Sequence, residues 1–381
     1  MQKKIVSLGA LALASLFAQM AQAASEESIT GYLDTYYEYN FNHPLPRHAS
    51  VPVTTDPNSA TYKGFTQGGT QLRNFDVQDN QFTLASAEIT YKRTIENLSL
   101  KVDLDTGDNT DMMHSSSSGV DETSKHIGQA IVSYTPSSLK SLTFNFGKML
   151  SHIGWEGAKA KDNWNYSRSL LYAFAGPYWH NGLNLSWTAV QDVFVANFYI
   201  YNGWNNRNDT NRGKTLGVQL AYAPGSGLAF VYNGIGGPEQ DGNEKNKKIV
   251  HDFIATWIAN EQLAFSADAI IGSEDKAIVD LANMDKSKAH WSALQMGLKY
   301  NLSPAFYLSP RIEAFWDREG YTTGASQSIR EATLTTSWKV VPQFEIRMEA
   351  RQDMSTHKAF IKDGALRDEQ ATLSLSTLVT L

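Results

Sequence analysis

Seven aromatic residues recur along the chain, each closing a stretch in which apolar and polar residues alternate. Each lies two to four residues before a turn, and after every turn a new alternation begins in the same phase. They are Tyr91, Tyr134, Trp187, Tyr222, Trp257, Tyr300 and Trp338. Tyr and Trp at one level are typical of a membrane interface, where the ring contacts hydrocarbon and its OH or NH reaches water. The pattern predicts an all-β fold, a single transmembrane antiparallel β-barrel with these rings above its short periplasmic turns.

The alternation and the lengths of the links predict about sixteen strands between Ile29 and Leu381. Links after even strands are short, whereas links after odd strands are long, polar and rich in Gly, Asn, Ser and Asp, as expected of extracellular loops. An even number lets the last strand pair with the first and leaves no open edge in lipid. A soluble β-sandwich has no reason to alternate link lengths in this way. In the second strand the alternation changes phase, which predicts a bulge near Ala85 and Ser86.

The first residues have the pattern of an export signal. Lys3 and Lys4 precede an apolar run, and Ala21-Gln22-Ala23 gives a small-x-small cleavage site. We therefore expect residues 1–23 to be a signal peptide, residues 24–381 to form the barrel domain, and the outer membrane of a Gram-negative bacterium to be the destination. The chain has no cysteine, which excludes a disulfide framework and a Cys-based metal site.

Sixteen strands enclose a lumen too wide for side chains to fill, so an aqueous channel is the expected consequence. The lumen-facing phase of predicted strands 13 to 15 is densely charged. Charges there must point into water, because an Arg or Lys facing mid-bilayer lipid costs about 2–4 kcal/mol. The sequence leaves open whether they form a pore wall that sets charge selectivity or salt bridges that merely solvate the lumen. The candidates are Arg311, Glu313, Glu331, Glu345, Arg347, Glu349, Arg351 and Asp353.

The link from Leu150 to Gly176 differs from the other loops because it combines two Trp, a Tyr and mixed charge, with helical composition at 158–162. We expect it to fold into the barrel, face the charged wall and narrow the channel. An ordered surface loop is the alternative. Its candidate constriction charges are Glu156, Lys159, Lys161 and Arg168. The acidic excess of the chain, −6 at pH 7, suggests a mild cation preference.

Four motifs in this region carry a family resemblance: Phe146-Gly147-Lys148, Gly154-Trp155-Glu156, the run 165–169 and the run 176–182. They resemble the OmpL-like beta-barrel porins of Gram-negative outer membranes, and the specific part covers about residues 146–187. The resemblance implies an outer-membrane channel for small solutes and suggests no catalytic residue. The chain departs from the usual barrel pattern in its last residue, which is Leu381 rather than Phe.

The function expected from these features is passive diffusion of ions and small hydrophilic solutes, and the chain is not expected to be an enzyme. The expected partners are outer-membrane lipid and the solutes themselves, with no nucleic acid, no cofactor and no metal. The oligomeric state is left open, a homo-oligomer included. Two alternatives remain: an adhesin or structural barrel, and an outer-membrane hydrolase. For a hydrolase, the only local grouping is His114 with Asp111 and the serines 115–118.

Overall fold

A computed structural model describes residues 25–44, 69–115, 117–279, 286–363 and 365–381. The expected signal peptide lies outside the described residues. The described chain forms a closed antiparallel barrel of sixteen strands, as the sequence predicted. No helix among the described residues is long and apolar enough to cross a membrane.

The barrel strands are β1 to β15 and β18, and β16 and β17 form a separate hairpin in the last long link. Their bounds are β1 Ser25–Asn40, β2 Gln81–Ile95, β3 Leu98–Thr106, β4 Ile127–Tyr134, β5 Leu142–Leu150, β6 Trp179–Val190, β7 Phe194–Tyr201, β8 Thr215–Gly225, β9 Leu228–Gly237, β10 Lys248–Ile258, β11 Leu263–Val279, β12 Lys286–Ser303, β13 Phe306–Asp317, β14 Gln327–Val341, β15 Phe344–Ser355, β16 Phe360–Lys362, β17 Ala365–Arg367 and β18 Glu369–Thr380. The links also contain an α-helix, α1 (Asp108–His114), 3₁₀ turns at Ser124–His126 and Ala160–Asp162, and a π-helical turn at Leu171–Ala175.

The barrel closes where β1 pairs with β18, in a register that runs from Tyr32 opposite Thr380 to Asn40 opposite Thr372. The register of β1 against β2 shifts at one place, which leaves Ala85 as the extra residue. This confirms the bulge predicted from the change of phase. The extra residue returns the following apolar residues to the outer surface.

The outer surface is apolar, and the aromatic residues lie on it beside the short turns. Six of the seven are exposed, and Tyr91 is half-buried. Their cross-strand partners are outward apolar residues as well: Tyr222 lies opposite Phe230, and Trp338 opposite Phe306. The outward surface therefore offers lipid a continuous apolar contact with aromatic rings at its periplasmic edge.

The interior differs from the expected open lumen, because a hydrophobic core fills part of the half farther from the short turns. Residues 151–178, which we call the inner segment, contribute Ile153, Leu170 and Leu171 to this core. The strands contribute lumen-facing apolar side chains, namely Ile235, Val250, Ile270, Trp291, Phe315 and Ile329. Side chains of the wall alone would leave this space empty, but a segment folded inward supplies the missing volume.

Candidate functional site: the inner segment and the charged wall

The inner segment leaves the end of β5 and is attached first to two carboxylates of the far wall. The backbone N–H of Gly154 donates to Asp252 Oδ2 on β10, and that of Trp155 donates to Asp268 Oδ2 on β11, each at 2.8 Å. Gly154 has φ of 92°, a left-handed conformation that favours glycine. The segment therefore turns sharply into the lumen at the Gly-Trp-Glu motif.

Two glutamates of the charged wall then accept hydrogen bonds from the backbone of the inner segment. Glu349 on β15 accepts from the N–H groups of Tyr166 at 2.7 Å and Ser167 at 3.0 Å. Glu313 on β13 accepts from Leu170 at 2.7 Å and Leu171 at 2.5 Å. An ionised acceptor makes stronger hydrogen bonds than a neutral one. Both carboxylates hold the path of the main chain rather than particular side chains.

Three arginines of the same wall bind carbonyl oxygens of the inner segment. Arg311 donates to Ser167 O at 2.7 Å, Arg351 to Arg168 O at 2.7 Å, and Arg347 to Ala160 O at 2.9 Å. Arginine suits this role because its guanidinium group carries several donors in a fixed plane and stays charged. The acidic side chains of the wall thus bind N–H groups of the inner segment, and the basic side chains bind its carbonyl oxygens.

The wall charges that bind the segment also pair with one another. Arg311 Nη1 lies 2.7 Å from Glu156 of the inner segment, and its Nε lies 3.1 Å from Glu331 on β14. Asp353 pairs at 2.8 Å with Arg351 and with Arg73, which comes from the link between β1 and β2. Burying an ion is costly unless it is paired and hydrogen-bonded. The network satisfies this condition and ties two links to one wall.

The burial of these groups corrects the expectation that they line an open channel. Nine of the twelve candidates are almost inaccessible to solvent because the inner segment covers them: Glu156, Arg168, Arg311, Glu313, Glu331, Arg347, Glu349, Arg351 and Asp353. The wall charges form salt bridges, as one of the two interpretations had it, but these are buried against the inner segment and do not solvate the lumen. Lys159, Lys161 and Glu345 remain accessible, with side chains exposed by 18%, 33% and 15%. These three stay pore-lining candidates.

Solvent still reaches the half of the lumen nearer the short turns, which we call the periplasmic vestibule. Lumen-facing Ser133, Asn145, Ser186 and Asn197 on β4 to β7 are half-buried rather than buried there. Trp164 of the inner segment, 4.7 Å from the ring of Trp155, borders this space on the opposite side. The half of the lumen farther from the short turns is therefore filled, whereas the half nearer to them leaves its lumen-facing side chains partly accessible.

Several residues that hold the segment, or that pair with the wall charges beside it, were not singled out from the sequence. Asp252, Asp268 and Arg73 are examples, and so is Asp34, which accepts a hydrogen bond at 3.0 Å from the Tyr166 hydroxyl. Asp34, Asp252 and Asp268 occupy the lumen-facing phase of their strands, a signal that the sequence does contain. Arg73 lies in a long link, and its position has no such signal.

His152 of the inner segment is buried between the wall and the hydrophobic core. Its ring nitrogens lie 3.1 Å from the Tyr201 hydroxyl and 3.2 Å from Gly234 O. Burial lowers the pKa of His152 to about 4, so the ring is neutral at pH 7. A neutral imidazole fits this apolar place, whereas a charged one would not.

The residues around His114 that were considered for a hydrolase are engaged in hydrogen bonds and an ion pair with neighbouring residues. Both ring nitrogens of His114 are engaged, one 2.8 Å from Thr110 O and the other 2.8 Å from Lys148 Nζ. Asp111 pairs with Lys125, and the Ser115 hydroxyl donates to Met112 O. Among the described residues of this grouping, no serine is hydrogen-bonded to the imidazole, which nucleophile activation would require.

Comparison with known proteins identifies the family. Residues 27–381 match the family described as "Putative beta-barrel porin-2, OmpL-like". The chain belongs to this family. The match covers the whole barrel and not only the motifs at 146–187, and it places the protein among the outer-membrane β-barrel porins. No match was found among curated protein sequences.

Solved structures with the same fold are outer-membrane barrels. The channel DcaP of Acinetobacter baumannii superposes with a TM-score of 0.61 at 10% identity, covering 95% of this chain and 99% of that one. OmpT of Vibrio cholerae gives 0.57 at 11% identity, covering 94% and 98%. An anion-selective porin from Comamonas acidovorans gives 0.57 at 10% identity, covering 94% and 100%. At these identities the likeness shows the fold alone.

Proposed function

We propose that this family member is a porin through which ions and small hydrophilic solutes diffuse passively. The observation that carries the proposal is the hydrated vestibule beside the inner segment, lined on β4 to β7 by uncharged polar side chains. Such a surface wets without binding solutes tightly, as a diffusion channel requires. The inner segment, held by buried charges, narrows the path.

The proposal includes export and assembly. Residues 1–23 act as a signal peptide that is removed, and residues 24–381 insert into outer-membrane lipid. Homo-oligomers are part of the proposal, since one similar structure, of OmpT of Vibrio cholerae, is described as a trimer form. The mass of the protein extracted from outer membranes tests the cleavage site: a chain that still carries Lys3 and Lys4 would contradict it.

Conductance in planar lipid bilayers tests the channel itself. The folded protein should give ion conductance, and deletion of Ala158–Asp162 should raise it. This deletion removes the Ala160 carbonyl that Arg347 binds and the Lys159 ammonium that pairs with Glu88. Deletion of the five residues 241–245, in the exposed link between β9 and β10, is a control of equal length and should leave the conductance unchanged.

A structural or adhesive barrel is the second candidate, and the hydrophobic core inside the barrel favours it. This core closes part of the lumen that a wide channel would keep open. If neither the wild type nor the Ala158–Asp162 deletion conducts ions while both remain folded, the porin proposal is wrong and the second candidate is preferred.

A further inference from the structure

The accessible charges of the periplasmic vestibule are mostly lysines. Lys92 and Lys101 lie directly opposite each other on β2 and β3, and both point into the lumen, in phase with Glu88 and Asp103. Lys299 on β12 lies over the Tyr307 ring at 4.3 Å, and the Tyr307 hydroxyl donates to Trp164 O of the inner segment. Lys339 occupies the lumen-facing phase near the end of β14.

The carboxylates on this side lie beneath the lysines or are already paired. The side chain of Asp103 is 1% exposed, whereas Lys101, 3.2 Å away, is 35% exposed. The side chain of Glu88 is 5% exposed beneath Lys159. Glu345 is held at 2.7 Å by Arg347, and Asp162 pairs with Lys161. Asp162 and Glu345 keep 53% and 15% of their side-chain surface exposed, so an ion in the vestibule meets more ammonium groups than carboxylates.

The rest of the vestibule offers no opposing field. In β4 to β9, all of whose residues are described, the lumen-facing side chains of this half are uncharged; examples are Ser133, Asn145, Ser186, Asn197 and Val231. Glu26 lies at the rim, at the first residues of β1, opposite Thr94. The charge of the vestibule is thus concentrated on one side, where accessible lysines outnumber the accessible carboxylates Asp162, Glu345 and Glu26.

We propose that the vestibule lysines Lys92, Lys101, Lys159, Lys161, Lys299 and Lys339 make the channel prefer small anionic solutes, carboxylates and phosphates in particular. This inference rests on the proposed porin function and replaces the cation preference expected from the net charge. Net charge is a poor guide here because most acidic side chains of the wall are buried, either in ion pairs with arginines or in hydrogen bonds to the inner segment. The electric field in a narrow aqueous path depends on the accessible groups, which are mostly basic.

The reversal potential across a bilayer with a tenfold KCl gradient tests the inference. The wild type should be more permeable to chloride than to potassium. The triple variant Lys92→Gln, Lys299→Gln, Lys339→Gln removes three lysines that form no salt bridge within the described chain. Lys339 lies opposite Glu345, which keeps its ion pair with Arg347 in the variant, so no buried acid is left unpaired. At 0.15 M salt, one lysine about 8 Å from the path changes the local anion-to-cation ratio roughly twofold. Removing three such lysines should therefore lower the anion-to-cation permeability ratio on the order of eightfold. Lys140→Gln, an exposed residue of the turn between β4 and β5, removes one charge outside the lumen and should leave the ratio unchanged.

The outcomes separate this inference from the porin function. A folded protein that conducts no ions contradicts the porin function itself. A conducting channel that prefers potassium, or shows no preference, overturns only the lysine proposal. So does a triple variant that keeps the wild-type ratio, or a Lys140→Gln shift as large as that of the triple variant. When inorganic phosphate replaces chloride, the wild type should still be more permeable to the anion than to potassium. Loss of this preference with phosphate would overturn the part of the proposal that concerns phosphates.

Discussion

Replacing Glu349 with alanine should detach the inner segment from the wall while leaving the barrel intact. Glu349 accepts two backbone hydrogen bonds from this segment, from Tyr166 and Ser167, and one from the Thr335 hydroxyl. The barrel strands pair through their own backbones, so the loss falls on the attachment of the segment. The variant therefore separates docking from folding.

The size of the effect follows from the two lost bonds to an ionised acceptor. Each contributes about 1.5–3 kcal/mol, so docking should lose about 3–6 kcal/mol. Water from the vestibule can hydrate the freed amides, so we expect a loss of docking free energy near the lower end of this range. A loss of about 3 kcal/mol raises the population of detached segments roughly a hundredfold, since each 1.4 kcal/mol is a factor of ten.

Trypsin cleavage after Lys159, Lys161 or Arg168 measures this population, because the protease is too large to enter the lumen and cuts only a detached segment. When docking is fast relative to cleavage, the cleavage rate tracks the detached fraction. Glu345→Ala is the matched control. It removes a carboxylate from the same face of β15, and the hydrogen-bond partners of Glu345, namely Ser337, Tyr307 and Arg347, belong to the wall. Equal cleavage rates in the two variants would refute the docking role of Glu349.

Three further predictions follow from single positions. Burial lowers the pKa of His152 from 6.5 to about 4, so docking of the inner segment is most stable above pH 6.5. As the pH falls to 4, docking should lose up to about 3 kcal/mol, because the detached segment can take up the proton more readily. The conductance of the wild type should therefore rise between pH 6.5 and 4, and the conductance of His152→Gln should vary less. Leu170→Ala, at a side chain with no exposed surface, should cost docking about 2–5 kcal/mol and speed hydrogen exchange of the inner segment, and unchanged exchange would contradict its place in the core. Gly147→Ala should reduce the yield of folded barrel, because φ is 138° and an added Cβ would lie 1.9 Å from Ala130 O; a normal yield would show that β5 can relax.

The strand pattern was predictable because lipid imposes it. Every second residue of a strand must be apolar where it contacts hydrocarbon, and every backbone group must be paired within a closed barrel. The rings at Tyr222 and Trp338, the bulge at Ala85 and the even strand number all follow from these two requirements. The inward path of the link after Leu150 was also predictable, from its unusual mixture of Trp and charge.

The function of individual charges was not predictable in the same way. Arg311 and Glu349 occupy the lumen-facing phase, as do Lys92 and Lys299, and the sequence alone gives them the same status. Their difference arises only when the inner segment covers one wall, because covered charges bind its backbone and uncovered ones face water. The sequence by itself determined the barrel, its lipid surface and which side chains face inward, since these depend on a local period of two. Only the tertiary structure decided which of those side chains are buried in the docking network and which reach the solvent, because that depends on contacts between residues more than a hundred positions apart.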